Sequence, residues 1–476
     1  MSDESKSAGQ KLADELFFNP KNCWETIEAQ EEKKIEDFAK PYIDFLNNGK
    51  TERECVAFAV ELLEKHGFVN IEQAAQGQLK SGAKVYQNIR GKALVAAVIG
   101  KQPGEGFNII GAHIDSPRLD LKPNPVYEES GFVLLDTHYY GGVKKYQWTA
   151  VPLAMHGVFV KENGEKINVK IGESPDDPVF TITDLLPHLG KAQMEKKASE
   201  LIEGEALDIL AGSRPYNDKE AKEKVKLMML SILHEKYGIK EKDFAGAEIE
   251  FVPAHPAREV GFDRSMIGAY GHDDRCCAWP ALMALLSFAT APGEKTAVCY
   301  LSDKEETGSG GNTGANSYGF KHFLSQLCAA SGRAGEAELR ACLARSSMLS
   351  ADVCAAYDPA FSDVFDKKNS SFMGKGLVLT KYNGVGGKYS TSDANAEFCV
   401  KVQGIMDRNN INWQIGLMGK VDKGGSGTIA LFAANLGIEV LDCGMAVLSM
   451  HSPFEVISKI DLYTTYKGYT AFFRDA

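Results

Sequence analysis

The chain has 476 residues, of which 44% are hydrophobic and 25% charged, and this length predicts about two to four domains of ordinary size. With 53 Lys and Arg against 64 Asp and Glu, the formal net charge is −11. This charge disfavours a general nucleic-acid binder, which needs a basic face. Residues 1–19 mix both charge signs without an apolar block, so no secretory signal is predicted.

Membrane insertion and a secreted location are also disfavoured. The longest apolar-rich stretch, residues 281–291, is too short to cross a bilayer. The 10 cysteines are scattered and form no CxxC pair. Scattered cysteines in a large chain without a signal are typical of reduced thiols, so we expect a cytoplasmic protein.

The predicted elements begin with two helical stretches within residues 28–66, and then the pattern becomes β-rich. Short apolar runs predict strands at 85–89, 93–99 and 107–114. Residues 158–160 and 167–171 flank Asn163 and Gly164, whose tolerance of positive φ indicates a hairpin. Residues 191–237 are rich in Lys and Glu and have apolar residues at helical spacing.

The last part of the chain alternates strands with helices. The predicted strands are 296–301, 346–351, 411–417 and 445–450, and the predicted helices are 276–289 and 428–436. This alternation implies a mainly parallel sheet covered on both faces. The fold class is therefore α/β, with a mainly parallel sheet flanked by helices formed by residues 1–118 and 256–476. Residues 119–255 are predicted to be a β-rich insert.

Acidic residues and histidines follow several predicted strands. They fall in five short segments: His113 and Asp115, Asp273 and Asp274, Glu305 and Glu306, Asp352, and His451. His113 and Asp115 face the same way because strand side chains alternate. A carboxylate that orients a histidine suits a metal ligand, although a structural His–Asp pair is the alternative.

The other segments are also ambiguous when each is taken alone. The pair Asp273 and Asp274 precedes a helix and could be only an N-cap. The pair Glu305 and Glu306 could be a solvated acidic turn, and the glycine-rich loop after it lacks the GxxxxGK[ST] phosphate motif. Together, however, two histidines and several carboxylates at strand ends fit two divalent ions that share one carboxylate.

The motifs resemble those of the dizinc aspartyl aminopeptidase and aminopeptidase I family. The matching segments, in order, are residues 111–117, 271–275, 303–309, 349–352 and 450–452. Connecting residues match as well, namely Tyr140-Gly141-Gly142, Trp148 with Pro152 and Leu153, and residues 381–397. The likeness covers nearly the whole chain and is specific through the order and spacing of its motifs.

The resemblance implies a ligand set for two zinc ions, which Mn²⁺ or Co²⁺ can replace. One ion would be held by His113, Asp273 and Asp352, and the other by Asp273, Glu306 and His451. Asp273 would bridge the ions, Glu305 would be the catalytic base and Asp115 would orient His113. The family commonly has Asn after the bridging Asp, whereas Asp274 stands here, so the choice between Asp273 and Asp274 stays open.

The implied activity is release of the N-terminal residue from peptides by a homo-oligomer, a dodecamer built from dimers through the insert. In the family, a His of the insert reaches a neighbour's active site, and His188 stands at the matching position, with His156 less favoured. Lys381 and Lys388 could hold an acidic substrate side chain, or could be surface lysines on a glycine-rich loop.

Three other classes remain as alternatives. A dizinc deacylase or carboxypeptidase would use the same metal motifs on another bond. A non-catalytic cargo particle could keep the fold, although every metal and base position is filled. A structural-zinc protein would need the closed, cysteine-rich ligand spacing of such sites, which the sequence lacks.

Overall fold

The computed structural model describes residues 6–73 and 79–476. Its α-helices are α1 Ala8–Leu16, α2 Ala29–Asn48, α3 Glu52–Lys65, α4 Lys191–Met194, α5 Lys224–Tyr237, α6 His272–Phe288, α7 Tyr318–Ala330, α8 Glu336–Leu343, α9 Ala396–Arg408, α10 Ala430–Ala434 and α11 Lys459–Asp475. The first ten strands are β1 Val69–Asn70, β2 Lys84–Ile89, β3 Ala93–Val98, β4 Phe107–His113, β5 Arg118–Glu129, β6 Phe132–Tyr140, β7 Leu153–Val160, β8 Lys166–Ile171, β9 Ile209–Gly212 and β10 Glu248–Pro253. The others are β11 Arg258–Val260, β12 Met266–Ala269, β13 Thr296–Ser302, β14 Ser347–Ser350, β15 Cys354–Ala355, β16 Leu377–Thr380, β17 Trp413–Ile415, β18 Glu439–Gly444, β19 Ala446–Val447 and β20 Glu455–Ser458.

A nine-stranded sheet in the order β1-β2-β3-β13-β4-β14-β18-β16-β17 forms the centre of the molecule. Its middle strands β13, β4, β14 and β18 are mutually parallel. Apolar side chains project from both faces: Ile110 belongs to an apolar cluster with residues of α2, α3, α6, α9 and α11, whereas Ile109 belongs to one with residues of α7, α8 and α10. Burial on both faces explains why these strands are continuous apolar runs. The predicted α/β fold class is confirmed.

Two secondary-structure predictions need correction, the strand at residues 445–450 and the helical pattern of residues 191–237. The sheet strand near the C-terminus is β18 at Glu439–Gly444, and the predicted strand 445–450 contains only the short β19. Asp442 interrupts the apolar run of β18, but Thr428 donates a hydrogen bond to its carboxylate, so the strand tolerates it. In residues 191–237, only α5 is a long helix.

A second, six-stranded sheet has the order β8-β7-β10-β5-β6-β9 and is antiparallel throughout. The chain leaves the central sheet after β4, builds this second sheet, passes through β11 and β12 of a separate three-stranded sheet with β20, and returns to the central sheet at β13 after α6. The second sheet has its own apolar core, which includes Trp148, Phe159 and Phe251. The position of this sheet coincides with the predicted β-rich insert. The domain limits and the role in dimerisation remain predictions.

Buried ion pairs join the second sheet to the helices of the central sheet. Lys50, which is 3% exposed, binds Glu173 at 2.7 Å and donates to the carbonyl oxygen of Pro253. Nearby, Arg118 at the start of β5 contacts the fully buried Glu52 of α3. Across residues 6–73 and 79–476, no helix has the length and apolar character needed to span a membrane.

Candidate metal centre and substrate cavity

The predicted site residues meet at the carboxyl edge of the central sheet. His113 is the last residue of β4, Glu305 and Glu306 lie in the turn after β13, and Asp352 follows β14. Asp273 lies in the first turn of α6, and His451 lies in the loop between β19 and β20. Because neighbouring parallel strands end at the same edge, their following residues converge on one crevice.

Asp273 lies between the two histidines. Its Oδ1 is 3.1 Å from His113 Nε2, and its Oδ2 is 3.1 Å from His451 Nε2. Glu306 Oε1 is 3.5 Å from His451 Nε2. Two groups of potential ligand atoms each lie within 4.8 Å of one another, His113 with Asp273 and Asp352, and Asp273 with Glu306 and His451. Asp273 thus belongs to both groups.

Asp274 occupies a different environment from Asp273. One of its oxygens accepts the backbone N–H of His113 at 3.3 Å, and the other is buried without a hydrogen-bond partner. Burial raises the pKa of Asp274 well above its usual value. Its potential ligand neighbours are Cys276 and Cys277, and it belongs to neither histidine-containing group.

Asp115 is fully buried and sits behind His113. Its Oδ1 is 3.3 Å from His113 Nδ1, and its carboxylate accepts the backbone N–H groups of Glu305 and Glu306. His113 Nδ1 is also 3.0 Å from the carbonyl oxygen of Asp115. A carbonyl oxygen can only accept, so Nδ1 carries the proton and Nε2 is left free to bind a cation.

His451 is oriented in the same way. Its Nδ1 donates to the carbonyl oxygen of Gly142 at 3.0 Å, which leaves Nε2 facing Asp273. Glu455 accepts the backbone N–H groups of both His451 and Asp273, at 2.6 and 3.0 Å. Glu455 is buried at the start of β20 and was not among the predicted site residues, although an acid directly before the apolar pair Val456 and Ile457 was the available signal.

Several carboxylate groups lie close together in this site and are largely shielded from solvent. Burial, reinforced by Asp115 and Asp273, raises the pKa of Glu305 to about 7. Burial and the charge of Asp273 raise the pKa of Glu306 well above its usual value. Burial lowers the pKa of His451, but the bond to Asp273 and the charge of Glu306 outweigh burial and raise it to about 10. Repulsion of this kind is relieved by protons or by cations.

The donor set fits divalent zinc. Two histidine nitrogens and several carboxylate oxygens converge, which are ligands that zinc accepts. Glu306 Oε1 is buried yet has no hydrogen-bond partner in the described structure. A buried acceptor without a donor is costly, and a cation between Glu306 and His451 would satisfy it.

A cavity of about 540 Å³ opens onto these groups. Its remaining walls come from loops after the central strands and from α10. The residues that line it are Gly142, Asp273, Glu305, Glu306, Gly308, Ser309, Asp352, Ser390, Met418, Ser426, Gly427, Thr428, Leu431, Phe432, Met450 and His451. Its described lining contains four large apolar side chains and no lysine or arginine.

The residues predicted to bind substrate lie elsewhere. Lys381 and Lys388 both bind Asp393, at 2.5 and 2.7 Å, and neither lines the cavity. His188 lies exposed in a turn of the second sheet's connecting segment. His156 is 1% exposed and bonded to two carboxylates of its own chain, so its side chain has no access to a neighbouring molecule.

A parallel α/β sheet with histidines and carboxylates converging at its carboxyl edge is the arrangement of a metal-dependent hydrolase. Residues 45–473 match the family model described as aminopeptidase I zinc metalloprotease, M18. The chain therefore belongs to the M18 family of zinc aminopeptidases, and the predicted family and enzyme class are confirmed.

Individual similar proteins support the same family assignment. The probable M18 family aminopeptidase 1 of Clostridium acetobutylicum is 48% identical over 464 residues, which cover 97% of this chain and 99% of that protein. The crystal structure of the M18 aminopeptidase of Thermotoga maritima is 46% identical, with a TM-score of 0.92 over 97% of this chain and 100% of that one. The structure of the Saccharomyces cerevisiae mApe1 dodecamer is 23% identical, with a TM-score of 0.74 over 92% and 96% of the two chains, and shares the fold.

Proposed function

We propose that the protein is a dizinc aminopeptidase in which Asp273 bridges two ions. His113 and Asp352 would complete the ligands of one ion, and Glu306 and His451 those of the other. The observation that carries this assignment is that the two oxygens of Asp273 each lie 3.1 Å from a different histidine. The position of Asp274 outside both histidine-containing groups supports Asp273 as the bridge.

The other side chains would supply the proton transfers. When bound, zinc contributes Lewis-acid polarisation of a carbonyl group and acidifies water. Glu305 belongs to neither ligand group, lines the cavity, and has its Oε2 3.9 Å from His113 Nε2. It would take a proton from the attacking water and return it to the leaving amine, which is typically worth about 10²–10⁴-fold. Asp115 would fix this geometry through the backbone N–H of Glu305.

Cleavage at the substrate's N-terminus is the activity expected of a member of the M18 zinc aminopeptidase family, whose model matches residues 45–473. The carboxylates of Asp273 and Glu306 would be neutralised by the two bound ions, so their charge does not choose between the two ends of a peptide. The described lining of the cavity has no lysine or arginine that would bind a C-terminal carboxylate. The family and the missing cation favour an aminopeptidase over a carboxypeptidase.

The preferred side chain of the substrate's N-terminal residue could be either acidic or apolar. An acidic preference would require Lys381 and Lys388 to leave Asp393 and turn toward the substrate. A neutral, apolar preference follows from the side chains that already line the cavity, including Met418, Leu431 and Phe432. We favour the apolar preference because an acidic side chain beside these groups would be unpaired.

Activity on a substrate panel tests the proposal. Aminoacyl-naphthylamides and short peptides are assayed with added Zn²⁺, Mn²⁺ or Co²⁺, and the same peptides are assayed with an acetylated N-terminus or an amidated C-terminus. Release of the first residue only from peptides with a free N-terminus is expected, whatever the C-terminus. Cleavage of the acetylated peptides would instead indicate a deacylase, and loss of cleavage on amidation a carboxypeptidase.

We also propose a cytoplasmic homo-oligomer, a dodecamer assembled from dimers through residues 119–255. The dodecamer formed by the yeast relative mApe1 and the exposure of His188 support this proposal. If His188 completes a neighbour's site, the variants His188→Ala and Glu305→Gln should each be inactive alone but regain partial activity when co-expressed. Absence of complementation in mixed oligomers, or full activity of a monomer, would contradict the shared site.

A further inference from the structure

The strand β6 of the second sheet ends against the metal centre. Its last residue, Tyr140, pairs with Arg118, the first residue of β5, and the Arg118 guanidinium lies 3.9 Å from the centre of the Tyr140 ring. Arg118 is buried and is held by Glu52 at 3.3 Å and by Glu250 at 3.2 Å. The ring of Tyr140 therefore has a fixed position between the two sheets.

The hydroxyl group of Tyr140 contacts the residue that orients His113. It donates a hydrogen bond of 2.8 Å to Asp115 Oδ2. Asp115 in turn contacts His113 Nδ1 and accepts the backbone N–H groups of Glu305 and Glu306. The Tyr140 hydroxyl group thus anchors the carboxylate of Asp115. That carboxylate in turn contacts the proposed ligand His113 and the proposed base Glu305.

The next two residues contact the other half of the site. The carbonyl oxygen of Gly142 accepts His451 Nδ1 at 3.0 Å. A Cβ atom at Gly142 would lie 3.2 Å from His451 Nδ1, and one at Gly141 would lie 3.2 Å from Glu306 Cβ. Gly141 also has a φ of +73°, which disfavours any other residue. The two glycines allow the backbone to approach this closely.

We infer that residues 140–142 of the predicted insert position both histidines of the metal centre, with Tyr140 as a positioning residue. The insert thereby completes the metal site within its own chain, in addition to its predicted role between subunits. This inference rests on the proposed function, because it assumes that His113 and His451 bind metal. Groups that orient metal-bound histidines typically change metal affinity by about 10–100-fold when they are removed.

The variant Tyr140→Phe tests the inference, since it removes the hydroxyl group and keeps the ring beneath Arg118. The matched control is Tyr139→Phe, which removes a hydroxyl group from the adjacent, exposed tyrosine on the opposite face of the strand. The metal-free proteins are titrated with Zn²⁺ against a chromophoric chelator, and the visible absorption spectra of the Co²⁺-loaded proteins are recorded. Thermal unfolding of the metal-free proteins is measured in parallel.

Zinc affinity should fall about 10–100-fold in Tyr140→Phe and stay at the wild-type value in Tyr139→Phe. The Co²⁺ spectrum should change only in Tyr140→Phe. The double variant Tyr140→Phe with Asp115→Asn should bind zinc no more weakly than Asp115→Asn alone, because the hydroxyl group acts through Asp115. Unchanged zinc affinity in Tyr140→Phe, or a lower unfolding temperature with a wild-type Co²⁺ spectrum, would overturn the inference.

The affinity measurement separates this inference from the proposed function. A wild-type protein that binds zinc but releases no N-terminal residue would contradict the proposed function, and the titrations would still decide the role of Tyr140. Wild-type activity together with an unaffected Tyr140→Phe variant would contradict the inference alone.

Discussion

The apolar lining of the cavity predicts a measurable order of substrates. A leucine side chain has three more carbon groups than alanine, and burying each contributes about 0.8 kcal/mol. Full burial against Met418, Leu431, Phe432 and Met450 would therefore favour leucine by about 2.4 kcal/mol. This free energy corresponds to about 60-fold in kcat/KM over alanine. Aspartate should be a poorer substrate still, since its carboxylate would lose water without gaining a partner.

The variant Phe432→Ala isolates the contribution of the cavity wall. It should lower kcat/KM for leucyl-naphthylamide and leave the value for alanyl-naphthylamide nearly unchanged, because the shorter side chain reaches less of the wall. The control is Phe361→Ala, which truncates a phenylalanine that is 62% exposed and does not line the cavity. A preference for aspartate over leucine that disappears in Lys381→Ala would refute this reasoning and support the acidic preference.

Two further predictions concern the buried polar contacts between the sheets. Lys50→Met should lower the free energy of unfolding by about 1.5–3 kcal/mol in urea titrations, because the charged hydrogen bond to Glu173 would be lost while Glu173 keeps its bond to His156, and an unchanged midpoint would contradict this role. Burial lowers the pKa of His156, but its bonds to Glu173 and Glu54 outweigh burial and raise it above 6.5. The stabilising contribution of His156 is therefore complete below pH 6.5 and is lost as pH rises through the folded-state pKa. The stability difference between wild type and His156→Gln should shrink correspondingly on raising the pH, and a constant difference would contradict this assignment.

The central strands could be predicted from sequence because burial on both faces leaves a clear apolar pattern. Ile109 and Ile110 are both fully buried although they point to opposite faces. The strand β18 escaped prediction because Asp442 breaks its apolar run, and the compensating hydrogen bond comes from Thr428, which a local pattern does not show. Residues 195–223 also lack the long helices that their composition suggested, since propensity yields to tertiary packing.

The convergence of the strand-end residues could also be predicted, because parallel strands bring their carboxyl ends to one edge. The contacts around those residues could not. The bond between Tyr140 and Asp115, and that between His451 and Gly142, depend on where the second sheet packs. Similarly, only the folded loop shows that Lys381 is paired with Asp393.

Metal content and turnover of the variants Glu305→Gln and Glu306→Gln test the central claim most directly. Glu305→Gln keeps the shape of the side chain and removes the proposed base, so it should retain two zinc ions by elemental analysis while kcat falls by at least about 10²-fold. Glu306→Gln removes a proposed ligand and should instead lose zinc. Loss of zinc from Glu305→Gln but not from Glu306→Gln would show that the two roles are exchanged. Unchanged turnover in both variants would contradict the dizinc aminopeptidase itself.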